Sequence, residues 1–426
     1  MAVVLLFGIH FIVIFFVCFL FWRRQDRQLQ LYYWPALVLK LSAGIALGLV
    51  YKYHYLVGDT FGFFEDACKL TELFRRAPST YVNFLMAGDE SDLLSGLLIN
   101  TQSRSLFLVK IVSLVAIFTG DNYWITSLYF SLISFWSGFL LVQKITTAFP
   151  VAKLAAAIAF LFFPSVVFWS SGIIKESLAL TGLFVLVRVY IGVLTNSKPF
   201  WWEYLLTPIA AIIVWNLKYY WIAVFIPVMM TTLLVYFITK STKLKSTSKI
   251  LIWIVAFLFF SFGGSFVHPN FYLENFLQVL AENYNQFIRI SPYENVVHYQ
   301  LEPTWESVIH NSPLALVSGF FRPFVWEAHN FLQIVAGIEN LFVLILFLIT
   351  FSKWKSVRES PHQLLIFSSA VYIIILCVFL ALSTPNFGTL TRYKVGFLPF
   401  LVFMLLAENS ALNWMKLKLS KFFKVR

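Results

Sequence analysis

The chain is predicted to be an all-α, polytopic transmembrane helical bundle of about eleven spans. Hydrophobic residues make up 60% of its 426 residues and charged residues only 12%, against about a quarter charged in soluble domains. Apolar stretches of the roughly 20 residues needed to cross hydrocarbon recur along the whole length. The 32 lysines and arginines fall in short clusters between those stretches rather than in one patch. That distribution is a topology signal and speaks against a nucleic-acid partner.

The first stretch, residues 3–22, is followed by Arg23, Arg24 and Arg27. A cleavable signal would carry its charges ahead of the apolar run, so this order predicts an uncleaved helix with its N-terminus outside. The remaining predicted spans are residues 33–55, 123–142, 153–170, 176–194, 203–217, 220–239, 249–267, 330–351, 363–383 and 394–412. Alternate threading puts Arg23/Arg24/Arg27, Lys144/Lys153, Lys198, Lys240/Lys243/Lys245/Lys249, Lys353/Lys355/Arg358 and the basic tail at 416–426 in the cytoplasm. Every cytoplasmic loop then obeys the positive-inside rule. The acids Asp59, Glu65, Asp66, Glu72, Asp89, Glu90, Asp92, Asp121 and Glu176, with those of residues 274–339, fall outside.

Residues 106–119 form an apolar run that contains Lys110 and is too short to span, and counting it would invert every later loop. The expectation is an interfacial or re-entrant helix. The whole chain, 1–426, reads as a single membrane domain with two long outer loops. The first, 56–122, carries juxtamembrane helices such as 64–76, and the second is 268–329. Cys18, Cys68 and Cys377 are too few and scattered for a disulfide framework or a thiolate metal site. Cys18 and Cys377 read as packing residues at lipid depth.

Four outer constellations hold chemistry-bearing side chains. At the end of the second span stand Gly58-Asp59 and Glu65-Asp66, carboxylates suited to general-base work or a divalent cation, or else to capping a helix. In the 164–176 hairpin, Lys175 and Glu176 lie near the interface, where charge is costly unless it is paired, faces a polar cavity or snorkels. Arg322, among Phe and Trp, offers a fork suited to phosphate, unless Glu327 neutralises it as a structural pair. Arg392 and Lys394, flanking Tyr393, stand outside against the positive-inside trend; an anionic ligand such as a lipid pyrophosphate explains them, as does headgroup anchoring. Lys218 interrupts one apolar stretch at an outer turn, and His268 opens the second long loop. Walker A, dinucleotide-type glycine, His-Glu-x-x-His and Gly-x-Ser-x-Gly patterns are missing, which removes support for ATP-driven transport and metalloprotease chemistry.

Gly58-Asp59 with Glu65-Asp66, the helix closing at Gly120-Asp121-Asn122, the 164–176 hairpin, and Arg392-Tyr393 ahead of a terminal span with Pro399 together resemble the GT-C superfamily of polyprenyl-phosphate-dependent membrane glycosyltransferases. The resemblance implies sugar transfer from a polyprenyl-linked donor to a glycan, lipid or protein acceptor. The reaction would sit at the periplasmic face of a bacterial inner membrane, in envelope polysaccharide or glycoconjugate assembly, with the C-terminus cytoplasmic and membrane lipids as further partners. It makes Asp59 the catalytic carboxylate with Glu65 or Asp66 as its partner. Arg322, Arg392 and Lys175 would hold the lipid phosphate, with Glu176, Lys218, His268, Glu327, Tyr393 and Lys394 completing the substrate site. A divalent cation, Mg²⁺ or Mn²⁺, if used, falls to Asp59 and Asp66. The chain departs from the family in its extra helix 3–22, in lacking Asp-x-Asp and in its small second outer loop, which leaves metal use and donor open. Two other classes compete. A lipid or polysaccharide transporter would need ionisable groups at mid-bilayer depth, for which Lys40, Arg188 and Glu408 are the candidates. A non-enzymatic membrane subunit of an envelope complex would use the two outer loops for docking.

Overall fold

A computed structural model describes residues 2–55, 58–86, 96, 98–197, 200–240, 242, 244–352, 360 and 362–407. Asp89, Glu90, Asp92, Lys198, Lys243, Lys353, Lys355, Arg358, Glu408 and the tail from 416 lie outside the described residues.

Eight of the described helices are long and apolar enough to cross a membrane: Leu5–Arg23, Arg27–Tyr55, Tyr123–Ala148, Lys175–Leu194, Trp201–Thr239, Ser246–Gly264, Phe331–Ser352 and Gln363–Ser383. Phe387–Gly396 and Leu398–Ala407, bent by 65°, add a ninth if taken as one broken span. The expected count of about eleven is not confirmed, and two segments differ from the spans predicted for them. Residues 153–170 are not one rod: a short apolar stretch ends at Phe162, and a separate turn of helix starts at Pro164, whose ring and missing N–H cannot continue the helix before it. Residues 203–217 and 220–239 join in a single helical stretch whose backbone leaves helical geometry only at Lys218 (φ −145°, ψ 59°).

Packing against the Lys175–Leu194 helix shows what that break does. Along the first arm, Lys218 meets Glu176, Ala210 and Val214 press on Gly182, and Glu203 meets Arg188. Along the second arm, Phe225 meets Tyr190 and Tyr236 meets Asn196. Both ends of the 39-residue stretch therefore lie beside the same end of its neighbour, and the chain reverses at Lys218. The segment is a helical hairpin with almost no loop.

The connecting segments gather at two opposite ends. At one, Gln25 meets Gln143, Lys153 meets Gln28, Lys144 meets Ser197, Lys240 meets Asn196, and Ser246 meets Gln363. At the other, Asp59 meets Arg392, Lys175 meets Ser105, Asn270 meets Tyr219, and Asn386 meets Ser291. These are the two groups that alternate threading separates. The Ser103–Thr119 helix, expected to be interfacial or re-entrant, falls outside the span-length set and packs on the Asp59–Arg76 helix at the second end.

Cys18 and Cys377 are buried and Cys68 is half-buried; all three are free thiols. Lys40, Glu339 and Lys394 are among the ionisable side chains buried within the bundle, and each is held by polar groups. Lys40 reaches Ser170, Glu339 accepts from the Ser165 amide at 2.8 Å, and Lys394 reaches Asn340.

Candidate functional site

Asp59 opens the Asp59–Arg76 helix, so its carboxylate sits at the positive end of the helix dipole. The residue before it, Gly58, lies against the Tyr51 ring, where a Cβ would collide. That close approach places Asp59 and Tyr51 side by side. Arg392 Nη1 donates to Asp59 Oδ2 at 2.7 Å and to the Tyr51 hydroxyl at 3.0 Å. Its Nη2 lies 2.8 Å from Glu176 Oε2, and Glu176 Oε1 lies 2.6 Å from Lys218 Nζ. The result is a chain of alternating charge, Asp59, Arg392, Glu176, Lys218, drawn from four separate elements.

Exposure is graded along it. The Asp59 side chain is 50% exposed and Arg392 11%; Glu176 is 0% and Lys218 3% exposed. The Lys218 ammonium also sits 3.6 Å above the Tyr393 ring, a cation–π contact strengthened by desolvation. The break at Lys218 is thus where the hairpin turns and where its one cation enters the cluster. Gly396, just beyond, packs against the Trp221 indole, which lets the Arg392 segment close over the hairpin.

Lys175 and Glu176 diverge, as neighbours at a helix start must. Lys175 donates to Ser105 Oγ at 2.8 Å and lies over the Phe63 ring, yet it remains within electrostatic reach of Asp59, Glu176, Lys218 and Arg392. Exposed Arg104 lies over the Tyr219 ring and adds its field to Lys218. Four cations therefore face two carboxylates. The Arg392 Nε and the Tyr220 hydroxyl are buried there with no hydrogen-bond partner among the described residues. A surplus of positive charge with unsatisfied donors is a setting that accepts an anion.

The remaining expected site residues divide. His268 is stacked on Tyr219, with ring centroids 4.9 Å apart, and accepts from the Asn270 amide; burial, helped by the Arg104 charge, lowers its pKa. It borders the cluster through that one ring. Arg322 and Glu327 pair with each other, Nε to Oε2 at 3.0 Å, over the Phe387 ring, and make the structural pair that the sequence left open. Lys394 points into the bundle toward Asn340, away from Arg392, because two residues are about 200° of helical rotation apart. Glu65 is exposed and stands outside the chain of ion pairs.

Asp66 is not a partner of Asp59. Seven residues along a helix is about 10 Å of rise, too far for both to hold one cation. The Asp66 side chain, 0% exposed, instead binds Lys69 at 2.9 Å, the Ile99 amide at 3.0 Å and the Asn100 amide at 2.8 Å. No group of three or more metal-ligating side chains occurs among the described residues. Burial pushes the Asp66 pKa up, but the hydrogen bonds from Lys69, Ile99 and Asn100 outweigh it and hold the carboxyl below its ordinary value. A depressed pKa stabilises the fold above the unfolded value, about 3.9, and that contribution disappears as pH falls through the lower folded value. Thermal unfolding in detergent should therefore show Asp66→Asn losing less stability than the parent between about pH 4 and the lowered folded pKa. Equal acid sensitivity in the two proteins would rule this role out.

Tyr51, Arg104 and Tyr220 belong to the site and were not singled out in the sequence. Arg104 was within reach: it is a basic residue on the side the threading calls outer, the same anomaly that exposes Arg392. The two aromatic residues carried no such signal. No protein-family model, curated protein or solved structure matches the chain.

Proposed function

We propose that the chain is an integral-membrane glycosyltransferase that moves a sugar from a polyprenyl-linked donor to an acceptor at the non-cytoplasmic face. The observation that supports this reading is the placement of a half-exposed carboxylate, Asp59, against a cation-rich cluster at one end of an apolar bundle. Asp59 acts as the base. As the acceptor hydroxyl oxygen bonds to the anomeric carbon, its proton passes to the Asp59 carboxylate. The bond from that carbon to the donor phosphate breaks, and its electron pair stays on the phosphate oxygen. Arg392 and Lys175 stabilise the charge that grows there, which is worth more in a partly dried site than in water. Lys218 and Glu176, nearly sealed from solvent, hold Arg392 in position.

The convergence of Asp59, Lys175, Glu176, Lys218 and Arg392 favours a reaction centre over dispersed docking charges. The test is sugar transfer by full-length protein in liposomes supplied with a labelled polyprenyl-linked sugar fraction. Asp59→Asn should cut turnover at least about a hundredfold, the lower range for a lost general base, and Arg392→Ala should abolish it. Full transfer by both variants would end this reading.

A further inference from the structure

We propose that Asp59 is a displaceable occupant of its own site: it sits on a guanidinium edge that an incoming phosphate or pyrophosphate group competes for. The two carboxylates on Arg392 differ sharply. Glu176 is sealed and also clamped by Lys218, so it stays. Asp59 is 50% exposed, in the first turn of a helix, and its one described hydrogen bond goes to Arg392 Nη1. An anion arriving from solvent or from the headgroup layer meets that edge first. Around it stand Lys175, the Tyr51 hydroxyl and the Arg392 Nε, which has no hydrogen-bond partner among the described residues, groups that suit several phosphate oxygens at once and that a single carboxylate leaves unused. Displacement also frees the Asp59 oxygens from the guanidinium, so anion binding and the release of the carboxylate become one event. The inference rests on the transfer reading for the phosphate class of the anion.

The consequence runs against the usual expectation for a binding-site acid: removing Asp59 should tighten anion binding. Full-length protein in phosphatidylcholine nanodiscs is titrated calorimetrically with inorganic pyrophosphate. Asp59→Ala should bind about fivefold tighter than the parent, the fold-change that corresponds to losing a competitor worth about 1 kcal/mol. Lys175→Met, which leaves the Arg392–Glu176 pair intact, should bind more weakly. Glu72→Gln removes the same unit of charge from the same helix, far from the cluster, and should bind like the parent. Repeating the titration in nanodiscs containing phosphatidylglycerol separates the sources. A fall in pyrophosphate affinity that is larger for Asp59→Ala identifies lipid headgroups as occupants of the site, and unchanged affinities identify a soluble or prenyl-linked phosphate. Either result keeps the competition. Equal or weaker binding by Asp59→Ala overturns it, as does an equal gain in Glu72→Gln or the absence of binding in all four proteins. Transfer activity is read separately: tighter binding with full turnover in Asp59→Ala would sink the catalytic reading alone.

Discussion

Replacing Glu176 by glutamine should lower the unfolding free energy by about 3–5 kcal/mol, the usual cost of removing one partner from a buried ion pair. The carboxylate is completely buried, and its two oxygens face Lys218 at 2.6 Å and Arg392 at 2.8 Å. The two cations do not suffer equally. Arg392 keeps Asp59 and Tyr51, whereas Lys218 is left with the Tyr393 ring and two charges of its own sign nearby, Arg392 and Arg104. The stranded ammonium is therefore the main cost. The double variant Glu176→Gln/Lys218→Met should recover most of the loss, because a neutral side chain of similar length removes the buried charge that lacks a partner. Unfolding midpoints in detergent check both. A loss below about 1 kcal/mol, the range of exposed pairs, would show that solvent reaches the cluster.

The helical membrane architecture was readable because it rests on length and hydropathy, which each segment carries alone. The sequence placed a break at Lys218, since a lysine between Leu217 and Tyr219 interrupts an apolar run that otherwise continues. It did not show that the break is a single residue, because a kink needs no turn signature. The short helix ending at Phe162 and the restart at Pro164 were likewise read as one span, although Pro164 was there to signal the boundary.

The site was legible where charge stood against trend. Arg392 stands out because the threading puts it outside against the positive-inside trend, and Asp59 because it is an acid just past a span; both belong to one chain of ion pairs. Side-chain direction was not legible. Lys394 stands two residues from Arg392, yet faces Asn340 inside the bundle. Asp66 adjoins Glu65, yet anchors the backbone of Ile99 and Asn100. Which way a helix is rotated depends on what packs beside it, and that is a tertiary fact. Arg322 and Glu327 share a segment, and as neighbouring opposite charges they pair with each other.

The opposite end of the bundle holds a buried pair of the same kind, and its removal should have a different signature. Arg188 and Glu203 are 5% and 2% exposed. Arg188 also reaches the Leu140 carbonyl and lies over the Trp202 ring, while Glu203 accepts from the Phe200 amide at 2.8 Å. The pair joins the Lys175–Leu194 helix to the start of the hairpin, at the end away from Asp59. Arg188→Met should cost about 3–5 kcal/mol by leaving Glu203 buried and unpaired, and Arg188→Met/Glu203→Gln should restore much of it. Pyrophosphate affinity measured in either variant that remains folded should match the parent, since no member of the pair reaches the Asp59 cluster. Glu176→Gln, with a similar loss of stability, should change that affinity, because Glu176 is what fixes Arg392. If both ends altered anion binding alike, the effect would be one of general loosening, and the Asp59 end would lose its claim to be the site.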